Sequence, residues 1–211
     1  MAENENPNRI TLSSIFPAVK RARGAMIYVG LVYLVTVLVG ILMVHLGVRF
    51  ALDARDSIVG QAYSDQSSPI VSLQNGFPLK AALTDYIGNL LEGAVPKTVA
   101  GLGIVTSLPL IAYQGWVGGI VSVDGNHASR FAQPWEAAYY VITLLLQLVP
   151  YTLAGGAGVY LGLAFYKNYS NKQVAKWLGF LPKAAVVDVA RIYILVIPLF
   201  LVASLWEFLV R

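Results

Sequence analysis

AAYYVITLLLQLVPYTLAGGAGVYLGLAFY, Ala137 to Tyr166, is a run of about thirty residues without a charged side chain. At ~1.5 Å per residue it makes roughly 45 Å of helix, against a bilayer hydrocarbon core of roughly 30 Å. It is too long for one upright crossing, so it must tilt, bend, run past the interface or fold back. Pro150 lacks an N–H and is the expected bend. Directly after it, Ala154/Gly158 and Gly158/Gly162 form small-xxx-small pairs that let another helix approach backbone to backbone. They read either as ordinary membrane packing or as a groove for docking or substrate passage.

The rest of the composition agrees with a lipid setting. Of 211 residues, 57% are hydrophobic and 12% charged, about half the charged fraction of a soluble domain. With no cysteine, thiolate chemistry, disulfides and cysteine metal sites are excluded. The net charge is +4, and the basic residues flank apolar runs. That placement suits lipid headgroups and orientation signals, not nucleic acid.

Residues 1–24 read as a polar tail and an interfacial segment, with Lys20, Arg21 and Arg23 at headgroup level. Residues 25–211 read as a single membrane-embedded domain. Ala25 to Leu46 is its first span, and the basic cluster before it places the N-terminus in the cytoplasm. Residues 51–96 are predicted to be an acidic outer loop, with a short surface helix near Leu79–Leu91. Val99 to Val123 is a second apolar run that Pro109 and Gln114–Gly119 are expected to break, Gly115 and Gly119 being a further small pair. Residues 167–191, with Lys172, Lys176 and Lys183, read as a basic amphipathic interfacial segment on the cytoplasmic side. Ile192 to Val210 is the last span.

Simple counting of these spans leaves the basic segment on the wrong side of the membrane. One of the two middle runs must fold back on itself, with Pro150 and Gln114–Gly119 as candidate turning points. The expected fold is therefore an all-α integral membrane helical bundle of about five segments, some broken or re-entrant, plus interfacial amphipathic helices.

Reactive constellations are scarce. His45, near the far end of the first span, reads either as an axial metal ligand or as a hydrogen-bonded, snorkelling side chain. His127 is the only other histidine. Asp53/Asp56 and Asp85/Glu92 have no histidine or motif to complete a site and read as solvated loop carboxylates. No HExxH, GxSxG or phosphate loop occurs, so an enzyme is not expected and no cofactor is implied. Gln114, Gln147 and Glu207 are the polar groups at depth; Glu207 either has a function or pairs with Arg211 four residues on.

Two stretches carry a resemblance. AGGAGVYLG (Ala154 to Gly162) is similar to the glycine-rich half of a long span in the stage II sporulation protein M family. IYILVIPLFLVASLWEFLV (Ile192 to Val210) resembles that family's terminal span, with Ala203, Ser204 and Glu207 on its pattern. Many members carry Pro-His-Gly and then Glu before the glycines; here Ile142, Thr143, Leu144 and Gln147 stand at those places, so the ionisable pair is absent. The resemblance implies a prokaryotic inner-membrane protein without established catalysis, a scaffold working with partner proteins. Two functions follow as expectations. One is a structural subunit packed against membrane lipids and other membrane proteins, or against itself as a homo-oligomer. The other is a transporter or permease component with a polar path near Gln114, Gln147 and Glu207.

Overall fold

The computed structural model describes residues 12–169, 171 and 173–210. Eight α-helices carry the fold among these residues. They are α1 (Ile15–His45), α2 (Arg49–Ser64), α3 (Pro69–Gln74), α4 (Pro78–Gly88), α5 (Val95–Gly101), α6 (Ser107–Ile120), α7 (Pro134–Asn168) and α8 (Lys183–Leu209). Of these, α1, α7 and α8 are long and apolar enough to cross a membrane. Ile27, Leu31, Leu38 and Leu42 of α1, Leu145 and Leu163 of α7 and Val202 of α8 lie exposed on the outside of the bundle. An aliphatic belt of that size is what lipid covers, and the chain is a membrane protein by composition and by this outer surface.

Helix α1 begins ten residues earlier than the hydropathy predicts. Pro17 falls in its first turn, where an N–H has no intrahelical acceptor, so the proline does not interrupt it. The helix therefore carries Lys20, Arg21 and Arg23 within its own length. At the other end Gly47, at φ 71°, closes it: Val48 N–H bonds the Met43 carbonyl and Gly47 N–H the Val44 carbonyl. Gly76 ends α3 in the same way, at φ 80°.

The long helices alternate in direction. Met26, Val29 and Gly30 of α1 face Gly156, Gly155 and Thr152 of α7, which runs antiparallel to it. Tyr160, Tyr151 and Gln147 of α7 meet Asp188, Phe200 and Glu207 of α8, again antiparallel. One end of the bundle thus holds Arg21 and Asp188, and the other holds His45. Between these helices lies a helical hairpin. Its first arm is α4, a π-helical turn at Asn89–Ala94, and α5. It runs alongside α7 toward the Arg21 end, with Gly93 at Tyr151, Thr98 at Ala154 and Gly101 at Gly158. The chain turns at Leu102–Gly103 and returns through α6, parallel to α1, with Gly115 against Tyr33 and Gly119 against Val37.

This hairpin corrects three expectations. Residues 51–96 are mostly helical rather than an outer loop, and from Pro78 onward they form the descending arm inside the bundle. The turning point is Leu102–Gly103: α6 is unbroken through Gln114–Gly119, and α7 is unbroken through Pro150. Pro109 does not break the helix because it sits in the first turn of α6. The basic segment is not an amphipathic helix. Lys176–Trp177 (β1) pairs antiparallel with Leu181–Pro182 (β2) across a turn in which Leu178 and Gly179 both take positive φ, and α8 starts at Lys183. Lys172 lies outside the described residues.

Candidate functional site

The α7 helix is divided by the size of its side chains. In its second half the small residues allow contact at backbone distance. A Cβ on Gly158 would overlap Thr98, one on Gly162 would overlap the Gly101 carbonyl, and one on Gly156 would lie 2.7 Å from the Met26 Cα. Ala154 is fully buried, and its carbonyl accepts from Thr98 Oγ1 at 2.9 Å. On α6, Gly115 and Gly119 do the same against α1, where a Cβ on Gly119 would lie 2.9 Å from the Gly40 Cα. All five small positions therefore face other helices of the same chain.

The first half of α7 carries Tyr139, Tyr140, Thr143, Gln147 and Tyr151, and here the helices stand apart. A cleft of about 380 Å³ opens between α4, α6, α7 and α8, with Val59 and Tyr63 of α2 and Ile70 and Leu73 of α3 over it. Most of its wall is apolar or aromatic, and a few polar groups converge on it, the usual make-up of a small-molecule site. Gln114, Gln147 and Glu207, far apart in sequence, all line it. Gln147 Nε2 donates to Glu207 Oε2 at 3.3 Å, while Gln147 Oε1 is buried with no donor. Tyr139 OH donates to the Glu207 carbonyl at 2.6 Å, filling one of the acceptors that a helix end leaves open.

Opposite Gln147 lies Asp85, which sequence reading placed in a solvated loop. Ser204 Oγ donates to Asp85 Oδ2 at 2.7 Å, and Asn89 Nδ2 donates to the same oxygen at 2.8 Å. Tyr151 OH in turn donates to Asn89 Oδ1 at 2.5 Å. Asn89 opens the π-helical turn, and such turns re-aim side chains at functional sites in many helices. Just beyond the turn Lys97 is buried, 8% exposed, with Nζ on the Gly93 carbonyl at 3.1 Å and 4.5 Å above the Tyr151 ring. Lys97, Glu92, Asp85, Asn89, Gln114 and Tyr151 line an adjoining cleft of about 720 Å³.

The remaining candidates sit elsewhere. Arg21 does not reach outward: its Nε and Nη2 donate to Asp188 at 2.7 and 2.6 Å, joined there by Arg191 and the Tyr160 hydroxyl. Lys20, Arg23 and Lys183 are exposed at that end, and Lys176 Nζ donates to the Tyr169 carbonyl. His45 has both ring nitrogens engaged. Nδ1 donates to the Ile41 carbonyl at 2.8 Å, which leaves Nε2 to accept from Ser129 Oγ, also at 2.8 Å. A metal at either nitrogen would have to displace one of these bonds. Arg211 lies outside the described residues. At the His45 end, His127 Nε2 and Arg55 both bond Asp56 at 2.9 Å, and the Arg55 guanidinium, then His127, hold that exposed carboxyl below its usual range.

Sequence reading singled out the polar residues inside strongly apolar runs. It missed Asp85, Asn89, Lys97, Tyr151 and Ser204. The signal for two of them was the Asp85/Asn89 spacing of four, which puts both on one helix face.

Comparison with protein-family models, with curated proteins and with solved structures finds no match to this chain.

Proposed function

We propose that this protein is a membrane transport component, in which the cleft around Asp85, Gln147 and Glu207 is a binding station for a small polar solute. One observation carries the reading. Two carboxylates and three amide side chains from four helices converge on one cleft, inside a bundle whose outer surface is aliphatic. Ionisable groups at that depth are costly and belong, as a rule, to solute or ion pathways. A helix broken by an irregular turn beside the cleft is the form transporters use at such sites.

The same proposal includes the topology. The α4–α5 arm and α6 act as a crossing pair, giving five segments that alternate in direction. The acidic α2–α3 cover and the basic Lys176/Lys183 end then fall on opposite faces of the membrane, with the N-terminus and the lysines cytoplasmic, as the positive-inside rule requires. Lys20, Arg23 and Lys183 are placed to meet headgroups in this arrangement. Kinship with the stage II sporulation protein M family stays part of the proposal on the sequence patterns alone. The scaffold reading drew on three small-residue faces; contacts within the chain account for all of them, so transport is the better supported function.

Because the chain has no cysteine, single cysteines report directly on the cleft. Thr143→Cys and Gln147→Cys should react with a membrane-impermeant maleimide in intact vesicles, whereas Leu163→Cys on the outer surface should not. Silence of both cleft positions, with the protein intact, would rule out a water-filled path.

A further inference from the structure

Resting on the transport reading, we propose that the cleft takes a small zwitterion, with its ammonium toward Asp85, Gln147 and Glu207 and its carboxylate toward Arg130. Two residues that line the 380 Å³ cleft each hold a buried polar atom without a partner, and the two atoms are opposite in kind. Gln147 Oε1 is an acceptor without a donor. Arg130 Nε is a donor without an acceptor. Buried groups of either kind are rare because each forfeits its hydration without return. One ligand with a donor at one end and an acceptor at the other satisfies both once the two side chains turn toward it.

Charge points the same way. Asp85 and Glu207 bring two carboxyl groups to the cleft. Arg130 on its wall brings a guanidinium. Arg130 forms no ion pair among the described residues. It is anchored by its backbone N–H, which bonds the Ser122 carbonyl at 3.0 Å. Asp124, the carboxylate close enough to feel Arg130, is already held by the Asn126 and Ala128 N–H groups. A ligand with an ammonium at one end and a carboxylate at the other matches the carboxyl groups and the guanidinium on one wall. Tyr139, whose hydroxyl bonds the Glu207 carbonyl, and Tyr151, whose hydroxyl bonds Asn89, supply aromatic faces near the ammonium end, a setting that favours organic cations.

The test is direct binding to the full chain in lipid nanodiscs. Radiolabelled glycine, L-alanine and γ-aminobutyrate vary the distance between the two charges; ethylamine and acetate, each with one charge, serve as competitors. At least one zwitterion should saturate the site, and an equal concentration of either competitor should not displace it. Arg130→Gln and Gln147→Leu should each weaken binding tenfold or more, and Arg130→Lys should recover most of the loss. Arg130 lies in the connection between α6 and α7, outside the helix seams, and thermal unfolding of Arg130→Gln matching the parent chain shows that its loss of binding is the ligand's. Ethylamine competing as well as the zwitterions, with no effect of Arg130→Gln, would overturn the proposal in favour of a simple cation site. Saturation by none of the three would also overturn it. If Thr143→Cys or Gln147→Cys is labelled while no zwitterion binds, only this inference falls; if neither is labelled, the transport reading beneath it falls as well.

Discussion

The two halves of α7 meet their neighbours in opposite ways. From Ala154 to Gly162 the side chains are so small that backbones touch, and no space remains. From Tyr139 to Tyr151 one face carries Tyr139, Tyr140, Thr143, Gln147 and Tyr151, and α4, α6 and α8 stand apart from it around a cleft. In lipid no hydrophobic force drives helices together, so packing and hydrogen bonds decide where they meet. Glycine gives close contact and no chemistry. Tyrosine and glutamine give chemistry and a gap. One helix can therefore clamp the bundle at one end and hold a polar space open at the other.

The glycine half should be the less forgiving. Gly158→Leu drives a side chain into the Thr98 backbone and is expected to lower stability by about 3 kcal/mol or more, the upper range for overpacking. Thermal unfolding in mild detergent measures it. Gly88→Leu, with nothing within 4 Å of its Cβ, is the control and should lose nothing. Equal melting of the two variants would mean that the α5–α7 seam is not close-packed.

The glycine half ends in one polar lock. Asp188 joins Tyr160 of α7 to Arg21 and Arg191. Asp188→Asn removes the carboxylate that Arg21 and the buried Arg191 share. Breaking a fully buried pair costs about 3–5 kcal/mol; Arg21 is 47% exposed, so solvent screens part of this, and about 1–3 kcal/mol is expected. A neutral result would show that Arg191 finds water or lipid phosphate instead.

In the cleft half, substitutions should cost less because space is already there. Tyr151→Phe removes the hydroxyl that donates to Asn89 and should cost about 1 kcal/mol, with Thr143→Cys remaining reactive to thiol reagents. Loss of that reactivity would mean that the hydroxyl keeps the cleft open.

The smallest effect belongs to the cover. Asp56 ties the 124–129 turn to α2 through His127, and its folded pKa is depressed, chiefly by Arg55. A depressed carboxylate stabilises the fold above its unfolded pKa, and the contribution is lost as pH falls through the folded one. Protection of the amides in residues 124–132, exchange taken relative to the intrinsic rate at each pH, should therefore fall in acid below the ordinary carboxylate range, while that of α1 and α8 holds. Protection that is flat through that window would show that the turn docks without Asp56.

The helices α1, α7 and α8 were legible because each is a long apolar run, and solvent transfer acts on composition alone. Gln114, Gln147 and Glu207 stood out for the same reason, as polar residues within such runs. The α4–α5 arm was hidden because Asp85, Asn89, Glu92 and Lys97 dilute its hydropathy to that of a loop. Only folding shows Asp85, Asn89 and Lys97 turned toward protein, while Glu92 stays exposed. Ser204 meets Asp85 across 119 positions of chain, and Tyr151 meets Asn89 across 62. No local pattern encodes such pairs, because they exist only once the hairpin has turned at Leu102–Gly103. The sequence by itself thus determined that this chain is helical and belongs in lipid. The tertiary structure alone decided which polar groups share a cleft, because that depends on which helices lie side by side and how closely their side chains let them approach.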